Sequence, residues 1–351
     1  MVDNNKRVVV RAPNWLGDAV MCVAALRELR RLLPNAHVTI VARPGTADIF
    51  GEAEFVDEVL IYDRRGLRSV WQQVREWKQR RFDLALLFQN AFEAAAIAVV
   101  ARVPIRIGYQ TERRGFLLTH PIPLPSWKDE RHEIFYYLNI VAELERVLFS
   151  NAPVESDPQF EISISEERKR QARARLIREL QAAEKPLALL CPGSINSRAK
   201  RWPAERYAEL ADELIESGTN VALIGSPGEL DVSQRVLALC KHSALLLTGK
   251  TSVAELAALI SIADVLITND TGPAHIGAAV GTPTLVIFGP TNPLTTKPFG
   301  AAGAIIRHPP DCAPCMLRDC PIDHRCMMAI TPQEVFEQAR RMMRQEIEVA
   351  N

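Results

Sequence analysis

Residues 268–293, TNDTGPAHIGAAVGTPTLVIFGPTNP, decide the fold. The apolar run Ala263–Thr268 that leads into them has the length and content of a buried parallel strand. Asn269–Pro273 is a Gly/Pro turn, His275–Val280 a helix of small residues, and Thr284–Phe288 the next strand. Strand, loop, helix, strand in this order is a βαβ unit. The first N–H groups of such a helix have no partner within it and carry partial positive charge, so the loop suits a diphosphate. Many α/β proteins contain a turn of this kind, so the rest of the chain has to support the reading.

Working outward, the same alternation fills the second half of the chain. Strands are expected at Leu187–Cys191, Asn220–Ile224 and Ala244–Leu247, separated by helical patterns near Ala204–Ser217, Leu230–Cys240 and Val253–Ile262. The first half opens with a strand at Arg7–Arg11, a loop through Gly17 and a helix over Asp18–Leu33. Pro34 and Asn35 stop that helix before a strand at His37–Ala42. Further strands fit Val59–Tyr62, Leu84–Phe88 and Ile105–Gly108, with helices over Leu67–Gln79 and Arg131–Leu148. Two alternating series predict two doubly wound α/β domains, residues 1–160 and 161–330. The segment Asn151–Ile164, with Pro153 and Pro158, is the linker candidate before a charged helix at Glu166–Leu180. Residues 331–351 carry a charged amphipathic helix, expected to pack across both domains.

Composition narrows the function. A 351-residue chain with 48% hydrophobic and 24% charged residues is of ordinary globular make-up and long enough for two cores. Its formal net charge is zero, which gives no general electrostatic case for nucleic acid, and aromatic-basic interleaving is missing. Apolar windows such as Ala94–Ala101 fall far short of the ~20 residues of a membrane span. Only three apolar residues separate Arg7 from Arg11, too few for a signal-peptide core. These features place the protein in the cytoplasm, with at most a peripheral membrane association.

Three further segments carry chemistry. In RAPNWLGDAV, Gly17 makes a tight turn and Asp18 opens the helix, as a cap or as a catalytic base beyond the carboxyl end of the first strand. In CPGSINSRAKRWP, Ser194 and Lys200 share a loop with other hydroxyls, amides and cations, which suits a phosphate. In LIGSPGELD, Glu229 either caps the next helix or accepts the hydroxyls of a ribose. Asp270, Thr271, Gly272 and His275 of the opening stretch are candidate nucleotide contacts. Arg64, Arg65 and Arg68 in one loop of the first half, and Arg113 and Arg114 in another, are candidates for an anionic acceptor, with solvated surface arginines as the alternative.

In order and spacing, these segments resemble the ADP-heptose:lipopolysaccharide heptosyltransferases of glycosyltransferase family 9, most closely their heptosyltransferase II branch. The resemblance rests on PNWLGDAVM, CPGSINSRAKRWP, and TNDTGPAH followed by GTPTLVIFGPTNP, and spans nearly the whole chain. It implies a GT-B fold, two Rossmann-like domains facing across a cleft, with the acceptor bound by the first and the ADP-sugar by the second. It further implies heptose transfer with inversion to an inner-core lipopolysaccharide heptose at the cytoplasmic membrane face, with no cofactor required. Asp18 then falls on the catalytic base and Lys200 on the diphosphate support. Ser194, Glu229 and Asp270–His275 fall on the donor site, and Asn14 joins the arginines on the acceptor side. A family 9 transferase with a protein or other glycan acceptor is the nearest alternative. A sugar-nucleotide epimerase of the same fold is the second, and a noncatalytic sugar-nucleotide binder the third.

The seven cysteines suit metal binding or free thiols better than a disulfide scaffold. Cys312, Cys315, Cys320 and Cys326 form C-x2-C-x4-C-x5-C, flanked by His308, Asp311 and His324, and can be read as a structural zinc or iron site or as free thiols. Cys22, Cys191 and Cys240 sit in apolar patterns and are expected in the core.

Overall fold

Short runs rich in Val, Ile, Leu and Ala make twelve strands in the computed structural model, which describes residues 5–149, 157–180 and 185–349. The chain divides into two compact units, Met1–Ile162 and Ser163–Asn351. The Pro153 end of the expected linker, residues 151–156, lies outside the described residues.

In the first unit, β1 (Arg7–Arg11), β2 (His37–Ala42), β3 (Glu58–Ile61), β4 (Leu84–Leu87), β5 (Ile105–Tyr109) and β6 (His120–Ile122) form one parallel sheet in the order β3-β2-β1-β4-β5-β6. Val8–Val10 and Leu84–Leu87 are fully buried, as strands covered on both faces must be. The helix expected over 18–33 is two helices, Leu16–Met21 and Val23–Leu32, meeting at Cys22. The second turns Val23, Leu26 and Leu29 inward against the helix Glu133–Phe149 and leaves Arg27, Arg30 and Arg31 outside.

In the second unit, β7 (Leu187–Cys191), β8 (Asn220–Leu223), β9 (Leu245–Leu246), β10 (Val265–Asn269), β11 (Thr284–Ile287) and β12 (Gly303–Ile306) form a parallel sheet in the order β12-β11-β10-β7-β8-β9. The helix Ala204–Glu216 covers one face through Tyr207, Leu210, Ala211 and Leu214. The helix Pro332–Val349 packs on it within this unit, burying Val335 and Ala339. The short helix Gly272–Ala279 lies so close to the sheet that a Cβ at Gly277 would meet Thr284 Oγ1 at 2.2 Å and Leu266 Cδ2 at 2.9 Å. The small residues after the Gly/Pro turn therefore serve helix–sheet contact.

Each sheet begins in its middle, builds to one edge, and returns to build the other. The reversal falls between β1 and β4 in the first unit, where Arg11 stands opposite Leu87. In the second it falls between β7 and β10, where Cys191 stands opposite Thr268. Loops leaving the carboxyl ends at such a reversal diverge to opposite faces and open a crevice for a ligand. The edge strands β6 and β12 and the helix Phe92–Val100 were not expected from the sequence. All are short, and β6 is only the tripeptide His120–Ile122.

Candidate active site

The loops after β10, β7 and β8 leave three adjacent strands and bring the expected donor residues into one neighbourhood. Lys200 ends the turn Arg198–Lys200 and reaches across to Asp270, with its Nζ 2.8 Å from Oδ2 and 3.1 Å from the main-chain oxygen. Asp270 is 4% exposed, and the Lys200 side chain keeps 26% of its surface in solvent. A cation is thus held at the reversal of the sheet with one side open to water. Thr296 Oγ1 is a weaker partner of the same Asp270 oxygen at 3.5 Å. Thr271 is the cap residue of the helix that starts at Gly272, and its hydroxyl lies 3.2 Å from that of Thr268. His275 is buried in that helix.

Glu229 is a capping residue here. Its Oε2 accepts from the Ser226 N–H at 2.8 Å and the Ser226 hydroxyl at 2.7 Å, closing a capping box. Its Oε1 lies against Gly193, where a Cβ would come within 2.3 Å of it. The carboxylate is therefore wedged between the β8 and β7 loops, and only glycine fits beside it. Ser194 is buried, and its carbonyl accepts two hydrogen bonds from Arg201 at 3.1 and 2.9 Å.

Asn269, not singled out in the sequence, ties these loops together. Its amide donates to Pro192 O at 2.9 Å and Gly193 O at 3.1 Å. Its carbonyl oxygen accepts from Trp202 N at 3.1 Å and Tyr207 Oη at 3.2 Å. The one available signal was a polar residue ending an apolar strand, where burial demands partners for every amide atom. Beneath these loops, burial, with Glu229 adding to it, pushes the Cys191 thiol up to about 12.

In the first unit, Asp18 stands in the first turn of Leu16–Met21, where the cap residue is Trp15. The Tyr137 hydroxyl donates to Asp18 Oδ1 at 3.1 Å. Asn14 is held by the buried Arg11, whose guanidinium also donates to Ala12 O and Val41 O. Burial lowers the Arg11 pKa to about 10.

The acceptor-side arginines separate. Arg64 pairs with Glu93, which also accepts from Tyr62 Oη at 2.8 Å, and Arg65 pairs with Asp63 at 2.6 Å. Arg68 and Arg113 are exposed. Arg114 corrects the expectation: it is fully buried, and its guanidinium donates to Tyr109 O at 2.8 Å, to Asn90 Oδ1 at 2.9 Å and to Gln89 O. Carbonyls at the carboxyl ends of the strands claim its donors, so none is left for an acceptor. Exposed apolar side chains of the same unit are Trp15, Leu67, Trp71 and the ring pair Phe92–Phe116 at 6.2 Å.

The four cysteines of the C-terminal segment are free thiols graded from surface to core: Cys312 exposed, Cys315 and Cys320 half-buried, Cys326 buried. Among the described residues, no three His, Cys, Asp or Glu side chains are grouped so as to hold a metal ion. Burial first, and after it the neighbouring Cys320, Cys315 and Cys312, hold the Cys326 thiol above its ordinary value.

The chain is similar to known proteins in sequence and in fold. The chain is 27% identical to lipopolysaccharide heptosyltransferase 2 of Salmonella typhimurium over 361 aligned positions, covering 97% of this chain and 99% of that one. The structure of Escherichia coli ADP-heptose lipopolysaccharide heptosyltransferase II shares the fold, with a TM-score of 0.83 at 24% identity over 97% of this chain and 99% of that one. The iron-containing dodecameric glycosyltransferase TibC of enterotoxigenic E. coli is a more distant likeness of fold, with a TM-score of 0.58 at 13% identity over 98% of this chain and 77% of that one. Residues 68–325 match the family model for glycosyltransferase family 9 (heptosyltransferase). With nearly three quarters of its length in that match and both sheets built as the fold requires, the chain belongs to glycosyltransferase family 9, the heptosyltransferases, and is a transferase enzyme.

Proposed function

We propose that the enzyme transfers L-glycero-D-manno-heptose from ADP-heptose to an inner-core lipopolysaccharide heptose, with inversion at the anomeric carbon. The observation that carries this reading is the half-open Lys200–Asp270 pair at the β7/β10 reversal, flanked by Ser194 and Glu229. A cation there meets the charge that grows on a departing diphosphate, the role a metal plays in other transferases. Glu229 Oε1 beside Gly193 serves the ribose, and the turn Asp270–His275 the rest of the nucleotide. In the first unit, Asp18 takes the proton of the acceptor hydroxyl as its oxygen bonds to the anomeric carbon and the bond to the diphosphate breaks.

Asn14, Arg64, Arg65, Arg68 and Arg113 form the acceptor side. Exposed arginines together with exposed Trp15, Leu67, Trp71 and Phe116 in one unit suit an anionic lipid, so we place the enzyme peripherally at the cytoplasmic face of the membrane. No helix among the described residues is long and apolar enough to cross it.

A transfer assay with ADP-heptose, ADP-mannose and UDP-sugars against defined inner-core acceptors tests the reading. ADP release that needs both ADP-heptose and an inner-core heptose is the expected result. Isomerised ADP-heptose without acceptor would establish the epimerase instead, and transfer only to protein would move the acceptor class. A structural zinc or iron ion on the four thiols rests on their spacing, and Lys200 leaves it no part in the chemistry. Elemental analysis of protein purified without chelator decides it: about one metal per chain supports the site, and none leaves free thiols.

A further inference from the structure

The segment 312–326, which the proposed chemistry leaves without a role, is bonded to the turn that carries Lys200. Ala199, the residue before Lys200, has both backbone groups held by it. The Ala199 N–H donates to Arg318 O at 2.9 Å, and the Ala199 carbonyl accepts from His324 Nε2 at 2.6 Å. Beside it, Ser197 Oγ donates to Leu317 O at 3.3 Å and Arg318 O at 3.2 Å, and Arg198 pairs with Asp319 at 2.6 Å.

The segment is itself anchored. Met316 N donates to Pro290 O at 2.9 Å, and Cys326 lies against Gly289, where a Cβ would sit 3.2 Å from its sulfur. Met327 and Ile330 are fully buried in the core of the second unit. The chain is thus strapped down at two places, and between them it presents a carbonyl and an imidazole to one residue, Ala199. Because Lys200 follows Ala199 and reaches to Asp270, a shift of Ala199 moves the ammonium relative to the donor turn.

We propose that His324 is a positioning residue for Lys200, acting through Ala199, and that the cysteine-bearing strap is the frame that holds it. This rests on the reading of Lys200 as support for the leaving diphosphate. Among the described residues of the strap, the half-buried imidazole is the side chain bonded to Ala199, from 125 positions away in sequence. His324 has a left-handed backbone, φ 55°, which Asn also tolerates, so a loss in the Asn variant does not come from backbone strain. The site-specific feature is the reach of the donor: Gln places an N–H where Nε2 stood, and Asn places it too near the backbone to meet Ala199 O.

The test compares His324→Gln and His324→Asn in the full-length enzyme, with ADP-heptose and an inner-core acceptor, alone and combined with Lys200→Ala. The expected result is near-parental turnover for His324→Gln and a loss of about tenfold in kcat for His324→Asn, since small misplacements of a catalytic group are costly. The donor KM should move less than kcat, and the Asn variant should cause no further loss once Lys200 is Ala. Parental turnover in His324→Asn, equal impairment of both amides, or an undiminished loss in the Lys200→Ala background would each overturn the proposal. Normal turnover in Lys200→Ala alone would instead condemn the reading of Lys200, and the strap proposal would fall with it.

Discussion

The Tyr137 hydroxyl donates to Asp18 Oδ1 across 3.1 Å, joining the helix Glu133–Phe149 to the turn after β1. Tyr137 is buried, and burial first, then the charge of Asp18, pushes its pKa well above the ordinary phenol value. The phenol therefore stays a donor throughout any working pH. A donor of this kind favours the ionised carboxylate and fixes its direction. Glu133 on the same helix also faces this pair and opposes negative charge there, while the buried Cys22 stays a neutral thiol.

Tyr137→Phe should lower kcat by about tenfold, the scale of one hydrogen bond to a charged group. Single-turnover kinetics check this; full activity in Tyr137→Phe would remove Tyr137 from the mechanism.

Lys200→Ala should fail in two separable ways. Turnover falls because the leaving group loses its cation, and stability falls because Asp270 is left buried without its charge partner. Adding Asp270→Asn should restore most of the stability and none of the rate. Denaturant titration and single-turnover kinetics on the same preparations distinguish the effects.

Replacing Arg64, Arg65, Arg68 and Arg113 by Gln should raise the acceptor KM and its sensitivity to salt while sparing the donor KM. Each change should alter stability by no more than about 0.5 kcal/mol, as for exposed charges generally. Arg114→Ala should do the opposite, costing about 3 kcal/mol or more by orphaning buried carbonyls. Urea melts with paired acceptor kinetics check both halves.

The buried thiols give a pH prediction. An ordinary thiol titrates near 9, whereas Cys191 is held up to about 12 and Cys22 is also raised well above the ordinary value. Below about pH 9 both folded and unfolded chains keep these protons, and stability is insensitive to them. Above it the unfolded chain loses protons that the folded chain retains, so stability should fall by up to about 1.4 kcal/mol per pH unit for each group. Melting temperatures from pH 8 to 11, with Cys191→Ala for comparison, read this directly. At neutral pH a maleimide should label exposed Cys312 first and reach Cys22 and Cys191 only on unfolding.

The central strands and their loops were legible because burial on both faces writes continuous apolar runs, as at Val8–Val10 and Leu187–Cys191. The same rule explains why Asp18, Lys200 and Asp270 stood out: they are polar residues just past such runs. Other features carried no local signal. Edge strand β6 is only a tripeptide with a central Pro121, and Asn269 reads like any strand end. Arg113 and Arg114 are neighbours of one residue type, yet one is exposed and the other fully buried. Their difference is set by carbonyls at Leu87–Ala91 and Tyr109, which adjacency in sequence cannot show. The hold of His324 on Ala199 is of the same kind.

Arg114 also limits how this enzyme can be re-engineered. Its guanidinium is shared between the loop 89–91 after β4 and the end of β5, so neither stretch has a shape of its own. A transplant of one loop from another transferase would arrive without the cation that folds it, or would strand the cation where it is. An exchange of either loop between scaffolds should therefore move residues 89–91 together with 109–116, as a cassette built around a single buried arginine.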